Sequence, residues 1–104
     1  MSKQVMNLYF FKLANGASDE QFIHASQQAE EFLRQQPGFL YRSVSRENDS
    51  GLWVDTGYWE SAEAYQQVHQ AFAQAPQCQQ FMALIEESSL QTRHTQIETT
   101  SCSG

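Results

Sequence analysis

The hydrophobic pattern of this chain switches between a period of two and a period near 3.6, and each switch marks an element boundary. Val5 to Leu13 is apolar on both faces, with Val5, Tyr9, Phe11 and Leu13 on one and Met6, Leu8 and Phe10 on the other. That predicts a strand at the centre of a sheet with a cover on each side. Asn7 is the polar exception on the first face. Asn15-Gly16 signals a turn. Ser18 followed by Gln21 is a capping-box pattern, and Asp19 and Glu20 suit the positive end of a helix dipole. Phe22, Ala25, Ala29, Phe32 and Leu33 then recur at helical spacing and form one apolar stripe. Pro37-Gly38 ends that helix.

Phe39 to Arg46 reads as a strand, with Phe39, Tyr41, Ser43 and Ser45 on one side and Leu40, Arg42, Val44 and Arg46 on the other. Asn48 to Gly51 is a hairpin loop, and Leu52 to Trp59 is the return strand. It sets Trp53, Asp55, Gly57 and Trp59 on a common face. Ser61 caps a second helix whose inner stripe is Ala62, Tyr65, Val68, His69 and Phe72. Pro76 breaks it, a short helix follows with Phe81, Met82, Leu84 and Ile85, and Ser89 to Thr99 is a polar last strand.

The order is β-α-β-β-α-β, which predicts an α+β, ferredoxin-like fold: one antiparallel sheet with both helices on one face. Residues 1–98 form a single domain, and 99–104 are a small, polar, frayed tail. The second sheet face carries Met6, Leu8 and Phe10. At about 25 cal/mol per Å² of apolar surface, leaving them wet forfeits much of a small domain's stability. A second sheet from an identical chain is the simplest cover, so the expected partner is the chain itself, as a homodimer.

With 104 residues, 40% of them hydrophobic and 12% aromatic, the chain suits one packed domain. A net charge of −6 with only six basic residues disfavours nucleic acid and anionic membranes. The two cysteines, Cys78 and Cys102, have no zinc-type or CxxC spacing and read as free thiols in a reducing cytoplasm. The apolar stretch near the N-terminus is too short and interrupted for a signal peptide, and no run approaches the ~18 apolar residues of a membrane helix. Nucleophile elbow, phosphate loop and HExxH are all missing from the sequence.

Pro37 to Arg42, Trp53, Tyr58 to Ala64, Phe72 to Pro76, Phe81 to Glu86 and His94 together resemble the dimeric α/β-barrel superfamily, in particular its antibiotic-biosynthesis-monooxygenase-like branch. The resemblance covers nearly the whole chain and specifies fold more than chemistry. It implies a homodimer whose sheets form a shared barrel, with a pocket between sheet and helices in each subunit. It also implies a monooxygenase without metal or flavin, acting on a small phenolic or quinol-like molecule by substrate deprotonation and dioxygen activation. Such an enzyme supplies a base, an oxyanion-stabilising donor and a dry aromatic cavity. The alternative is a non-catalytic dimeric barrel that binds a small apolar ligand.

His69 is the candidate base, because imidazole titrates near neutral pH and quinol-oxidising members carry a similarly placed His. Its structural alternative is a helix histidine at the core edge. Asn7 resembles the first-strand Asn of haem-degrading members and is the candidate polarising donor; otherwise it is a satisfied buried amide. Tyr41, Trp53, Trp59 and Tyr65 are candidates to line an aromatic cavity, against a plain core role. Arg42 and Arg46 would hold a carboxylate or enolate, or make rim ion pairs. His94 defaults to a surface or interface position, and Asp55 with Glu60 is not a credible catalytic pair. The haem pattern goes no further than Asn7. An ungapped reading puts Val68 in place of the second-helix Trp and Cys78 in place of the His ligand, which disfavours haem but leaves a thiolate ligand open.

Overall fold

The computed structural model describes residues 3–101. Cys102 and the end of the expected tail lie outside the described residues. The elements are β1 (Val5–Phe11), α1 (Asp19–Arg34), β2 (Phe39–Arg46), β3 (Trp53–Trp59), α2 (Ala62–Phe72), α3 (Pro76–Met82), a 3-10 turn (Glu87–Ser89) and β4 (Gln91–Gln96). The strands form one antiparallel sheet in the order β2-β3-β1-β4. The fold is ferredoxin-like, with β1 and β3 central as the two-sided apolar pattern of β1 requires.

Local chemistry sets the boundaries. Ser18 accepts from the Gln21 amide and the Gln21 side chain accepts from the Ser18 amide, completing the capping box of α1. Ser61 accepts from the Ala64 amide at 3.1 Å and opens α2. Pro76 is at the first helical position of α3, where its missing N–H costs nothing. At Gly38 (φ +85°) an added Cβ would stand 2.5 Å from the Ala64 side chain. Only glycine therefore lets α2 settle on the turn before β2. The last strand is shorter than expected, because Glu87–Ser89 makes a 3-10 turn first.

One register differs from simple alternation. The β2–β3 pairing shifts between Phe39 and Tyr41, so Phe39 lies opposite Trp59 and Tyr41 opposite Tyr58. The irregularity at Leu40 uncouples the two aromatics that alternation would place together. Phe39 packs edge-on against Trp59 beneath the helices, 5.3 Å between centroids. Tyr41 is on the opposite sheet face, 58% exposed and 5.7 Å from Tyr58.

Beneath the helices are two hydrophobic clusters. One gathers Phe11, Phe22, Trp53, Cys78 and Phe81; the other gathers Leu33, Trp59 and Val68. Phe32 and Phe72 pack against both. Across the sheet, Met6, Leu8 and Phe10 are only half-buried. Among the described residues no helix is long and apolar enough to cross a membrane.

Candidate functional site

A cavity of about 150 Å³ opens where the two clusters meet. Its sheet-side wall is Asn7, Tyr9, Phe39, Arg42, Asp55, Gly57 and Trp59, and its helix-side wall is Leu33, Tyr65, Val68, His69 and Phe72. Asn7, Trp59, Tyr65 and His69, named from sequence, therefore share one space. The registers place Asn7 opposite Gly57 on β3 and His94 on β4, so these three positions share one face of the sheet.

Trp59 Nε1 donates to Asn7 Oδ1 at 2.6 Å, which fixes the amide and turns its Nδ2 away from the indole. The bond passes directly over Gly57, where an added Cβ would meet Asn7 Oδ1 at 2.7 Å and Trp59 Nε1 at 3.0 Å. A glycine inside a strand is the sequence signal for such a close approach.

The hydroxyls of Tyr9 and Tyr65 are hydrogen-bonded to each other, and Tyr65 Oη lies 3.5 Å from His69 Nδ1. Burial raises both phenol pKa values, and the Tyr9–Tyr65 bond pushes Tyr9 further up while drawing Tyr65 partly back. Both are neutral donors near physiological pH. His69 is exposed and stacks on Tyr65 with centroids 5.4 Å apart, so this polar chain runs from the buried strand to solvent. Tyr9 was not singled out from sequence, although its shared face with Asn7 was legible there.

At the floor, Arg42 clamps Asp55 with Nε and Nη2, both bonds 3.0 Å long. Its Nη1 donates to the Ser26 carbonyl at 3.2 Å and lies 3.6 Å from Glu30. Burial raises the Asp55 pKa, and the guanidinium opposes it. The Arg42 side chain is 4% exposed, so the rim position expected for it gives way to a buried pair. Arg46 is at the surface, paired with Asp19 at 2.8 Å and lying over the Trp53 ring. Glu60 is exposed and far in role from buried Asp55.

Two further expectations are corrected. Tyr41 does not line the cavity, because the irregularity at Leu40 turns it to the other sheet face. Trp53 does not line it either; it packs 4.7 Å from Phe22 in the core. His94 is exposed, with its ring 5.2 Å from Tyr65.

Among the described residues no group of three His, Cys, Asp or Glu could hold a metal ion. The thiolate haem ligand left open by the sequence does not fit the residues present. Cys78 is fully buried in the aromatic core and does not line the cavity, and burial pushes its thiol up to about 11, away from a thiolate ligand. The 150 Å³ cavity is also below the roughly 300–1,000 Å³ of sites for drug-sized ligands, and a porphyrin is larger than those.

A ferredoxin-like sheet holding an aromatic cavity under its helices defines a broad structural class. The chain belongs to the antibiotic biosynthesis monooxygenase family, whose model matches residues 5–84. No curated protein matches it in sequence. Among solved structures it is similar to SnoaB, a cofactor-independent oxygenase from Streptomyces nogalater, at TM-score 0.78 and 18% identity over 96% of this chain and 98% of that one. It is also similar to an antibiotic biosynthesis monooxygenase, so described, from Chloroflexus aurantiacus J-10-fl (TM-score 0.66, 20% identity, 97% and 99% covered). The heme-degrading protein Rv3592 from Mycobacterium tuberculosis shares the fold too (TM-score 0.65, 19% identity, 98% and 99% covered). At these identities the likeness is one of fold.

Proposed function

We propose that this protein is a cofactor-independent monooxygenase of small phenolic or quinol-like molecules, working as a cytoplasmic homodimer through residues 1–98. The observation that carries the reading is the meeting of Asn7 and His69 at one aromatic cavity, where Tyr65 Oη lies 3.5 Å from His69 Nδ1.

The substrate sits against Trp59 and Tyr65 with its hydroxyl toward His69. His69 takes the proton and, being exposed, passes it to solvent. Asn7 Nδ2, oriented by the bond from Trp59 Nε1, donates to the oxyanion that forms. The anion gives one electron to dioxygen, and the resulting radical pair closes a carbon–oxygen bond at a carbon bearing hydrogen. The peroxide takes up one proton. It then loses water with the carbon's remaining hydrogen, leaving a carbonyl. One oxygen atom ends in product and one in water. The apolar walls keep water from the radical pair.

The test is dioxygen uptake by the purified protein against one- to three-ring quinols, with His69→Ala alongside. The expected result is uptake above the spontaneous rate that drops about 10²- to 10⁴-fold in the variant, the usual worth of a general base. Uptake unchanged in His69→Ala would remove His69 from the mechanism. No uptake with any quinol, together with ligand binding, would favour the apolar-ligand carrier instead.

A further inference from the structure

The cavity is not the only hollow on this side of the sheet. A second, of about 260 Å³, lies toward β4 and is walled by Val5, Met6, His94 and Gln96. Asn7 and Tyr65 line both. Asn7 is tied to Trp59 on the sheet, so Tyr65 is the side chain that reaches across from α2 and divides them.

Tyr65 is held from several directions. Its hydroxyl is bonded to Tyr9, and its ring packs on Trp59 at 5.6 Å, His69 at 5.4 Å and His94 at 5.2 Å. A side chain gripped on the ring by three aromatic neighbours and at its tip by a half-buried phenol is a wall, not a swinging lid. The space it leaves on the main side is small. An apolar cavity of about 150 Å³ accommodates one benzene ring.

Charge narrows the ligand further. Arg42 is the cation lining the cavity, and its donors are already taken by Asp55 and the Ser26 carbonyl, with Glu30 close by. A carboxylate entering there faces Asp55 on the same wall and a guanidinium whose Nε–Nη2 edge is already filled.

The geometry points to Tyr65 as the specificity-determining partition of this site, which restricts the main cavity to uncharged single-ring phenols and quinols. This rests on the oxygenase reading for the name of the ligand class, but the size limit belongs to the cavity itself. Removing the Tyr65 ring joins the two hollows into one groove long enough for fused rings.

Calorimetric titration under strict exclusion of dioxygen tests this apart from turnover. The probes are hydroquinone, naphthalene-1,4-diol, anthrone and 2,5-dihydroxybenzoate. Wild type is expected to bind hydroquinone at least about tenfold tighter than anthrone or the carboxylated ring, the scale at which a pocket rejects a poor fit. Tyr65→Phe keeps the ring and the ranking. Tyr65→Ala shifts the ranking toward anthrone by at least about tenfold, and Tyr65→Leu serves if the alanine variant does not fold. Anthrone bound by wild type as tightly as hydroquinone would overturn the proposal, as would no binding by any probe. The expected ranking without dioxygen uptake would sink the oxygenase reading and leave the partition standing.

Discussion

Gly57 has no side chain because Asn7 and Trp59 occupy its place. Alanine there pushes a methyl to 2.7 Å from Asn7 Oδ1, so the indole bond must break or β1 must move from β3. We expect Gly57→Ala to lose about 1–3 kcal/mol of stability, the usual range for overpacking, measured by urea unfolding. It should also lower turnover in any assay in which the wild type is active, because the Asn7 amide loses its fixed orientation. A second consequence of burial concerns pH. Cys78 is raised from 9.0 to about 11, and Tyr9 and Tyr65 are raised too, by burial in each case. The fold holds these protons where the unfolded chain has begun to release them. Their stabilising contribution is therefore complete below about pH 9 and is lost as pH rises toward 11. Denaturation midpoints taken from pH 8 upward should fall along that limb, and fall less steeply in Cys78→Ala. A flat limb in wild type would contradict the assignment.

At the level of elements, most of the architecture was legible because its signals are local. Ser18 with Gln21, Ser61 and Pro76 stand where the helices begin, and two-sided apolar β1 is central in the sheet. What was not legible arises from pairing between strands. Simple alternation put Phe39 and Tyr41 together, and only the partner strand's register separates them. The Arg42–Asp55 clamp also depends on that register, joining residues on neighbouring strands. Asn7, Trp59, Tyr65 and His69 could be named one by one, but their convergence depends on how α2 lies over the sheet. The start of α2 is thus an element that positions the site. Ser61 accepts from the Ala64 amide, and the Tyr65 amide donates to the Ser61 carbonyl at 3.2 Å. Ser61→Ala removes the cap and should cost about 0.5–2 kcal/mol in urea unfolding. Hydrogen exchange should rise first at Ala64 and Tyr65. An unchanged midpoint and unchanged exchange there would mean that packing against Gly38, not the cap, holds the helix start.

For the whole molecule, the two faces of the sheet differ in how well they are finished. The helix face is closed by two aromatic clusters and holds the cavity. The other face leaves Met6, Leu8 and Phe10 half-buried in a row on β1, beside Val54 and Tyr58 of β3 and exposed Tyr41 of β2. Apolar area of this kind is stabilising only when removed from water, at about 25 cal/mol per Å². Among the described residues no helix packs on that side: α1, the longest, makes its contacts with α3, α2 and β2, and its buried apolar residues Phe22, Ala29 and Leu33 belong to the clusters on the cavity side. A second copy, placed sheet to sheet by a two-fold axis, offers the same row in return and covers both at once. Phe10 is the residue to test, since it is the aromatic side chain of the row, pairs with Val54 and Gln91, and does not line the cavity. Light scattering on the wild type should give twice the mass of one chain at micromolar concentration. Phe10→Lys puts an unpaired charge from each copy into the covered face, where removing it from water is costly. It should give the mass of a single chain, with the helix content of the wild type by circular dichroism. A wild type that runs as a single chain would show that the sheet face tolerates water, and a Phe10→Lys protein that stays double would place the contact elsewhere.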